Sequence, residues 1–318
     1  MEEHKGLLSS AWGRVAHNKR YIIWFYILNL VLAWLGAAAF SNQAHEYLDH
    51  SLLSQRLVQG MDIGVVIEMF IQPDFGTVHA ATAAGLHFAL AFFLLTALFM
   101  PGVLQGYSST YRLPREDFFR ACGRNLWRFI RLMIIAGIVI GAVAAGLFAL
   151  RVAIVKAAEK STNELLPFEM RMLGLAIIFL VMTALRIWFD LAEADVVLSE
   201  QNAVRRSIGR GFRHTWRNLG QLVGSYVLIT IVALIILGAG LVTWEKLIPA
   251  TSVAGAFVLT QFMLLLLLIP RFWQRGVAVS YYLENMVAPI VVNTLTPPVA
   301  VAAPSPLRPI PPAEPQAT

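Results

Sequence analysis

Three charged side chains in a largely apolar stretch are the residues best placed to do chemistry. Arg186, Asp190 and Glu193 recur at spacings of four and three, so on a helix they share one stripe. Charges inside a membrane usually pair with one another or line a polar cavity. The stripe therefore predicts either a structural ion pair or part of a path for a substrate or ion, and such a path would also use His87 and Asn29.

A catalytic carboxylate set is a further interpretation of the same region. Asp190, Glu193 and Asp195 could form one, but the neighbouring arginines make charge balance the simpler explanation. The sequence has no phosphate-binding glycine loop, nucleophile elbow or metal cluster of standard spacing. Its single cysteine, Cys122, excludes an internal disulfide. We therefore expect no enzymatic activity, no cofactor and no bound metal.

The elements that carry these residues must be membrane helices. Hydrophobic residues make up 58% of the 318 residues and charged residues only 14%, and both values exclude an ordinary soluble domain. The net charge of +6 could suggest a nucleic-acid partner. However, the basic residues cluster beside apolar segments, so we expect the lipid bilayer to be the partner and nucleic acid not to be.

Six apolar segments are long enough to span a bilayer. They cover residues 21–40, 81–104, 129–155, 171–198, 219–241 and 254–272, within a membrane domain over 21–292. The predicted fold class is an all-α polytopic membrane protein.

The segments between and after the predicted spans differ in character. The connection 41–80 is acidic and is predicted to lie against the outer surface of the membrane, and residues 293–318 are predicted to form a proline-rich, disordered tail. The apolar stretch 276–292 is an inner-surface helix, an extension of the sixth span, or a short seventh span.

Three amphipathic helices are predicted at residues 1–20, 115–131 and 203–218, each ahead of a span. In the last of these, apolar side chains recur on one face and arginines on the other, a pattern typical of a helix that lies flat in a membrane interface. Each basic residue near an anionic surface contributes about 1 kcal/mol to binding. The predicted headgroup-binding residues are Arg120, Arg124, Arg128, Arg131, Arg206, Arg210, Arg213 and Arg217.

The same basic residues indicate the orientation of the chain. Eighteen Lys and Arg residues fall on the side that carries the three amphipathic helices, against six on the other side, so both termini are predicted to be cytoplasmic.

The amphipathic helices also share a sequence frame. Arg-x-x-Gly-Arg occurs at 120–124 and 206–210, and residues 11–14 keep its second half. This frame predicts three units of one amphipathic helix plus two spans, although any helix that enters a membrane from the cytoplasm has a similar character.

The run from Leu191 to Asp195, together with Arg206, Arg210 and the later Arg217–Gly220 and Tyr226, resembles a group of uncharacterised bacterial six-span membrane proteins. It is also distantly similar to the membrane domain that precedes some glycerophosphodiester phosphodiesterases. The resemblance implies a location in the bacterial inner membrane and supplies no activity or catalytic residues. No phosphodiesterase domain follows in this sequence.

Two functions remain open on the sequence. The first is a non-catalytic membrane component that holds anionic lipid or a partner subunit with its arginine helices. The second is a small transporter or channel subunit with a polar path near Arg186 and Asp190. The prolines favour the first, because transporters often have broken spans in corresponding positions of each repeat, whereas Pro101 and Pro270 both lie at cytoplasmic ends.

Overall fold

The computed structural model of this protein describes residues 6–48, 77–109, 111–160, 165–199, 203–249 and 252–287, and all regular structure in them is α-helical. The helices are α1 (Leu7–His17), α2 (Arg20–Leu48), α3 (Thr77–Ser108), α4 (Arg115–Ala158), α5 (Leu166–Leu198), α6 (Val204–Arg217), α7 (Leu219–Leu247) and α8 (Val253–Asn285). The predicted all-α architecture is therefore confirmed. The tail at 293–318 and most of the connection 41–80 lie outside the described residues.

Five of the described helices are long and apolar enough to cross a membrane, as expected of a multi-pass membrane protein. They are α3, α4, α5, α7 and α8, and each contains one of the predicted spans. At most a third of each apolar window is buried inside the protein, as expected of helices that face lipid. The remaining predicted span, 21–40, lies within α2. The apolar part of this helix, Arg20–Gly36, is shorter than the five apolar helices named above.

Two helices continue past the ends of predicted segments, and for the second of them an extension was one of the three predicted alternatives. The predicted basic helix 115–131 and the span 129–155 form one helix, α4, of 44 residues. Its length is about 66 Å, roughly twice the hydrocarbon thickness, so its first turns must project beyond the apolar layer. The helix α8 likewise passes Pro270 and ends at Asn285, so the apolar stretch after 275 extends the sixth predicted span.

The described helices form three units, each with one basic helix followed by two long helices. The units are α1 with α2 and α3, then α4 with α5, and finally α6 with α7 and α8; in the second unit the basic helix is the first part of α4. Each basic helix packs mainly on the last helix of another unit: the start of α4 on α3, α6 on α5, and α1 on α8. Because α1, the first described helix, packs on α8, the last one, the three units contact one another in a closed ring.

A glycine allows close approach at each of these three contacts. A Cβ atom at Gly211 of α6 would lie 2.9 Å from the backbone oxygen of Trp188 on α5. At Gly276 of α8 it would lie 3.1 Å from the backbone oxygen of Ala11 on α1. At Gly102 of α3 it would lie 2.6 Å from the Phe118 ring at the start of α4. The basic helices are therefore seated on the bundle at distances that a larger side chain would prevent.

The shared Gly-Arg frame separates two faces of each basic helix. An added Cβ would meet open space at Gly13, Gly123 and Gly209, so these glycines face away from the bundle. The residues two positions before each glycine are buried, and so are those two positions after it: Ala11 and Val15, Ala121 and Asn125, and Ser207 and Gly211. In each basic helix, therefore, the positions two before and two after the frame glycine face the neighbouring helix.

Candidate functional site

The predicted charged stripe lies near the end of α5, at the end of the bundle that carries the basic helices, here called the basic end. Together with arginines from two other helices it forms a charged cluster, in which α5 supplies every carboxylate. Its members are Arg186, Asp190, Glu193 and Asp195 of α5, Arg210 of α6, and Arg271 and Arg275 of α8.

Asp190 is buried and is held by two neighbours. The hydroxyl of Tyr226, on α7, donates a hydrogen bond of 2.8 Å to Asp190 Oδ2. The Nε atom of Arg186, one turn earlier on α5, lies 3.8 Å from the same oxygen. The predicted stripe therefore contains an ion pair, and the tyrosine fixes the orientation of its carboxylate from a second helix.

Removing the Tyr226 hydroxyl is expected to destabilise the protein. Tyr226→Phe leaves the buried Asp190 carboxylate without that donor, so the free energy of unfolding should fall by about 1 to 3 kcal/mol. Denaturant unfolding of the purified protein in detergent measures the change. Tyr111→Phe is the control, because Tyr111 is 84% exposed. Equal changes in the free energy of unfolding in the two variants would show that the hydrogen bond to Asp190 does not stabilise the protein.

Glu193 lies where three long helices meet. Its Oε2 is 3.8 Å from Nη2 of Arg275 on α8, which is close enough for an ion pair and too long for a hydrogen bond. Nη1 of Arg275 contacts Sδ of Met100 on α3. These contacts join α3, α5 and α8, the last helix of each unit, at one buried point.

Asp195 is fully buried and is paired with a predicted headgroup-binding residue. Its Oδ2 lies 2.8 Å from Nη2 of Arg210 on α6. Arg210 also donates to Oγ of Ser199 at 3.4 Å. The structure therefore directs Arg210 into the bundle, whereas Arg206, Arg213 and Arg217 of the same helix are exposed.

The other predicted polar residues lie apart from Arg186 and Asp190. Asn29 of α2 lines a cavity with Arg271 and Arg275 of α8 and makes no hydrogen bond to another described residue. His87 is exposed and lies about 14 Å along α3 from Thr96, which also lines that cavity. The cavity that Asn29 lines does not include His87, Arg186 or Asp190 among its lining residues.

The remaining predicted arginines form a basic surface at the basic end. Arg120, Arg124, Arg131, Arg206, Arg213 and Arg217 are exposed and Arg128 is half-buried. Arg120 pairs with the exposed Asp117 at 3.2 Å, and Arg131 lies over the Trp127 ring at 5.0 Å. Burial, together with the charges of Arg213 and Arg217, lowers the pKa of His214 on α6. Near neutral pH the arginines alone therefore supply the positive charge of that helix.

Each basic helix also exposes a tryptophan. Trp12 is 44% exposed, Trp127 is 62% exposed and Trp216 is 69% exposed. Tryptophan is enriched at membrane interfaces because one side of its ring system is apolar and its N–H group is polar. An exposed tryptophan near arginines is thus common to all three helices.

Small residues hold α6 on the bundle together with part of the apolar face predicted from its periodicity, since Val204 and Ile208 pack against the core. Ser207, Gly211 and Thr215 are buried against α5, while Phe212 and Trp216 are exposed and stack on each other. The helix therefore has three faces: small residues toward the protein, aromatic rings outward, and arginines beside them. The four-residue spacing of the small residues was the available signal for the packed face.

A cleft separates the two basic helices that carry most arginines. It has a volume of about 470 Å³ and is lined by Arg131, Ile134, Ile135, Ala203, Val204 and Arg205. Two guanidinium groups therefore stand beside an apolar wall, and Arg205 was absent from the residues predicted to bind headgroups.

The chemistry of the described site is that of charge pairing and anion binding. In the part of the chain that the structure describes, no group of three or more His, Cys, Asp or Glu side chains is placed to hold a metal ion. The sequence analysis did not identify three partners of the stripe: Tyr226, Arg271 and Arg275. They lie on other helices, and the spacing of residues along the sequence does not show which helices pack together.

No protein-family model, curated protein or solved structure matches this chain. Its function must therefore follow from the chemistry of the charged cluster and the basic surface.

Proposed function

We propose that this protein is a non-catalytic integral component of the bacterial inner membrane that binds anionic phospholipid through its basic surface. In this proposal α2 is a sixth span and both termini are cytoplasmic, so the basic end faces the anionic inner leaflet. The observation that carries the proposal is that every basic helix exposes a tryptophan near arginines, the combination expected of an interfacial anchor.

The faces of α6 support an interfacial position. Phe212 is 48% exposed and Trp216 is 69% exposed, so much of their ring surface is available to the acyl region beside the bundle, although Phe212 also contacts the Trp188 ring of α5. Arg206, Arg213 and Arg217 are exposed and lie within reach of headgroup phosphates. The small-residue face holds the helix on α5, so the protein itself sets the depth of the anchor.

The cleft between α4 and α6 supports a particular mode of binding. A phosphodiester would lie between Arg131 and Arg205, because guanidinium groups bind phosphate oxygens in a bidentate manner. An acyl chain would follow Ile134 and Ile135 along α4. The cleft thus offers both chemistries of a phospholipid in one place.

The transport alternative receives less support from the same geometry. Asp190, Glu193 and Asp195 each face an arginine of the bundle, which is the pattern of structural pairing. The cavity lined by their partners Arg271 and Arg275 measures only about 10 Å³, which is room for a single water-sized ligand.

The test is the lipid dependence of stability in three forms of the purified protein. The first is the wild type, and the second is Arg206→Gln, Arg213→Gln and Arg217→Gln combined. The control combines Lys156→Gln, Lys160→Gln and Arg171→Gln, which removes three exposed charges from the far ends of α4 and α5. Arg210 is left intact, because it pairs with Asp195.

Phosphatidylglycerol, but not phosphatidylcholine, is expected to raise the melting temperature of the wild type and the control. In the α6 variant the apparent affinity for phosphatidylglycerol should fall about a hundredfold at low salt, since three charges contribute about 1 kcal/mol each. Identical responses to both lipids in the wild type would overturn the proposal. Equal losses in variant and control would show a general charge effect instead. A purified sample contains no partner subunit, so a partner cannot produce the lipid response.

A further inference from the structure

A small cavity lies between α2, α3 and α8, beside the charged cluster. Its polar lining comes from Asn29, Thr96, Arg271 and Arg275, and apolar side chains, including Phe25 and Phe92, close the remainder. Among the described residues that line it, none is acidic. A cavity with two guanidinium groups, a hydroxyl and a carboxamide offers hydrogen-bond donors from several directions.

Two of these donors are buried and lack a partner. The Thr96 side chain is 4% exposed and its Oγ has no hydrogen bond within the described residues. The same holds for Nε of Arg275, a residue that is 8% exposed. Buried polar groups in folded proteins are nearly always satisfied, so unpaired donors at one cavity indicate a ligand that accepts hydrogen bonds.

The charge balance indicates the sign of that ligand. The charged cluster holds four guanidinium groups and three carboxylates, so its formal net charge is +1. Arg271 makes no ion pair with a described residue, and its guanidinium lies 5.9 Å from the centre of the Phe92 ring. Arg271 is exposed, so the buried positive charge at the cavity is that of Arg275, and an anion held there would be attracted by both guanidinium groups.

We infer that this cavity binds a small monoanion such as chloride, held by Arg271, Arg275, Thr96 and Asn29. The volume of about 10 Å³ admits a ligand close to the size of water and excludes a phosphate or an organic anion. Glu193 faces Nη2 of Arg275, which leaves Nε of the same guanidinium for the anion. The site goes beyond the proposed lipid binding and does not depend on it, because it lies inside the bundle.

The anion joins two of the three units in this arrangement. Its ligands come from α2, α3 and α8, so binding ties the first unit to the third. A ligand that binds only the folded state stabilises that state by mass action. Chloride should therefore raise thermal stability in a saturable manner.

The experiment compares sodium chloride with sodium gluconate at equal ionic strength, using the full-length protein in a neutral, lipid-free detergent. At about ten times its Kd, chloride is expected to raise the melting temperature by about 3 to 6 °C over gluconate. Arg271→Gln should abolish the difference. Thr96→Val, which keeps the shape of the side chain, should shift the chloride midpoint about tenfold higher without loss of folding. Arg131→Gln, on the basic surface, is the control and should respond like the wild type.

A second measurement locates the anion. Diffraction data from crystals grown in bromide should show an anomalous peak between Arg271, Arg275 and Thr96. Equal melting temperatures in chloride and gluconate, or an unchanged chloride midpoint in Thr96→Val, would overturn the inference. Lipid binding and anion binding fail independently, because the first is measured with phosphatidylglycerol and the second in its absence.

Discussion

Arg210→Gln is expected to lower the free energy of unfolding by about 3 kcal/mol, whereas Arg206→Gln on the same helix should change it by less than about 0.5 kcal/mol. Arg210 is the partner of Asp195, which is fully buried and lies 2.8 Å away. Without the guanidinium, the carboxylate stays in the interior with its charge unpaired. Arg206 is exposed and has no such partner in the described part of the chain.

Denaturant unfolding in detergent measures this difference, and a double variant tests its cause. Asp195→Asn combined with Arg210→Gln removes both charges, so it should recover a large part of the stability lost in Arg210→Gln. If the double variant is as unstable as the sum of the single variants, the two residues act independently. A small loss in Arg210→Gln alone would mean that Arg210 belongs with the headgroup-binding arginines.

Gly211→Ala and Gly209→Ala are expected to change stability in opposite directions. At Gly211 an added methyl group would lie 2.9 Å from the backbone oxygen of Trp188 and 3.2 Å from the backbone nitrogen of Ala192. Because backbone atoms on α5 cannot move aside cheaply, α6 must shift, and we expect a loss of about 1 to 3 kcal/mol. At Gly209 the methyl group meets open space, so the better helix propensity of alanine should add up to about 1 kcal/mol.

The melting temperatures of the two variants in detergent provide the measurement. The pair is a matched test, since the same substitution is made two positions apart on one helix. A shift of α6 would also move the exposed arginines, so Gly211→Ala should weaken the response to phosphatidylglycerol while Gly209→Ala preserves it. Stabilisation by both substitutions would contradict the close seating of α6 on α5.

These two pairs of variants separate the structural and surface roles of a single arginine-rich helix. The sequence pattern grouped Arg206, Arg210, Arg213 and Arg217 together because they share one side of a helical period. The fold divides them, since Arg210 reaches a buried carboxylate and the other three remain exposed. Experiments that neutralise all four at once would therefore mix loss of stability with loss of lipid binding.

The sequence by itself determined the features that depend on local pattern. Apolar runs predicted the positions of the long helices, because the lack of water in a bilayer requires each spanning segment to satisfy its own backbone hydrogen bonds. The spacing of Arg186 and Asp190 predicted their proximity, because residues four apart on a helix are neighbours. The local pattern was a weaker guide to where each helix ends. The helix α8 continues through Pro270, and α4 continues past residue 131, where the predicted basic helix ended.

Only the tertiary structure decided which faces pack and which charges meet. Ser207, Gly211 and Thr215 are buried on the side of α6 that packs on α5, whereas the more hydrophobic Phe212 and Trp216 keep much of their surface exposed. The reason is that burial against a protein backbone rewards small residues and close contact, whereas lipid accepts large apolar side chains equally well. The partners Glu193 and Arg275 come from different units, and they meet because α5 and α8 pack against each other in the folded bundle.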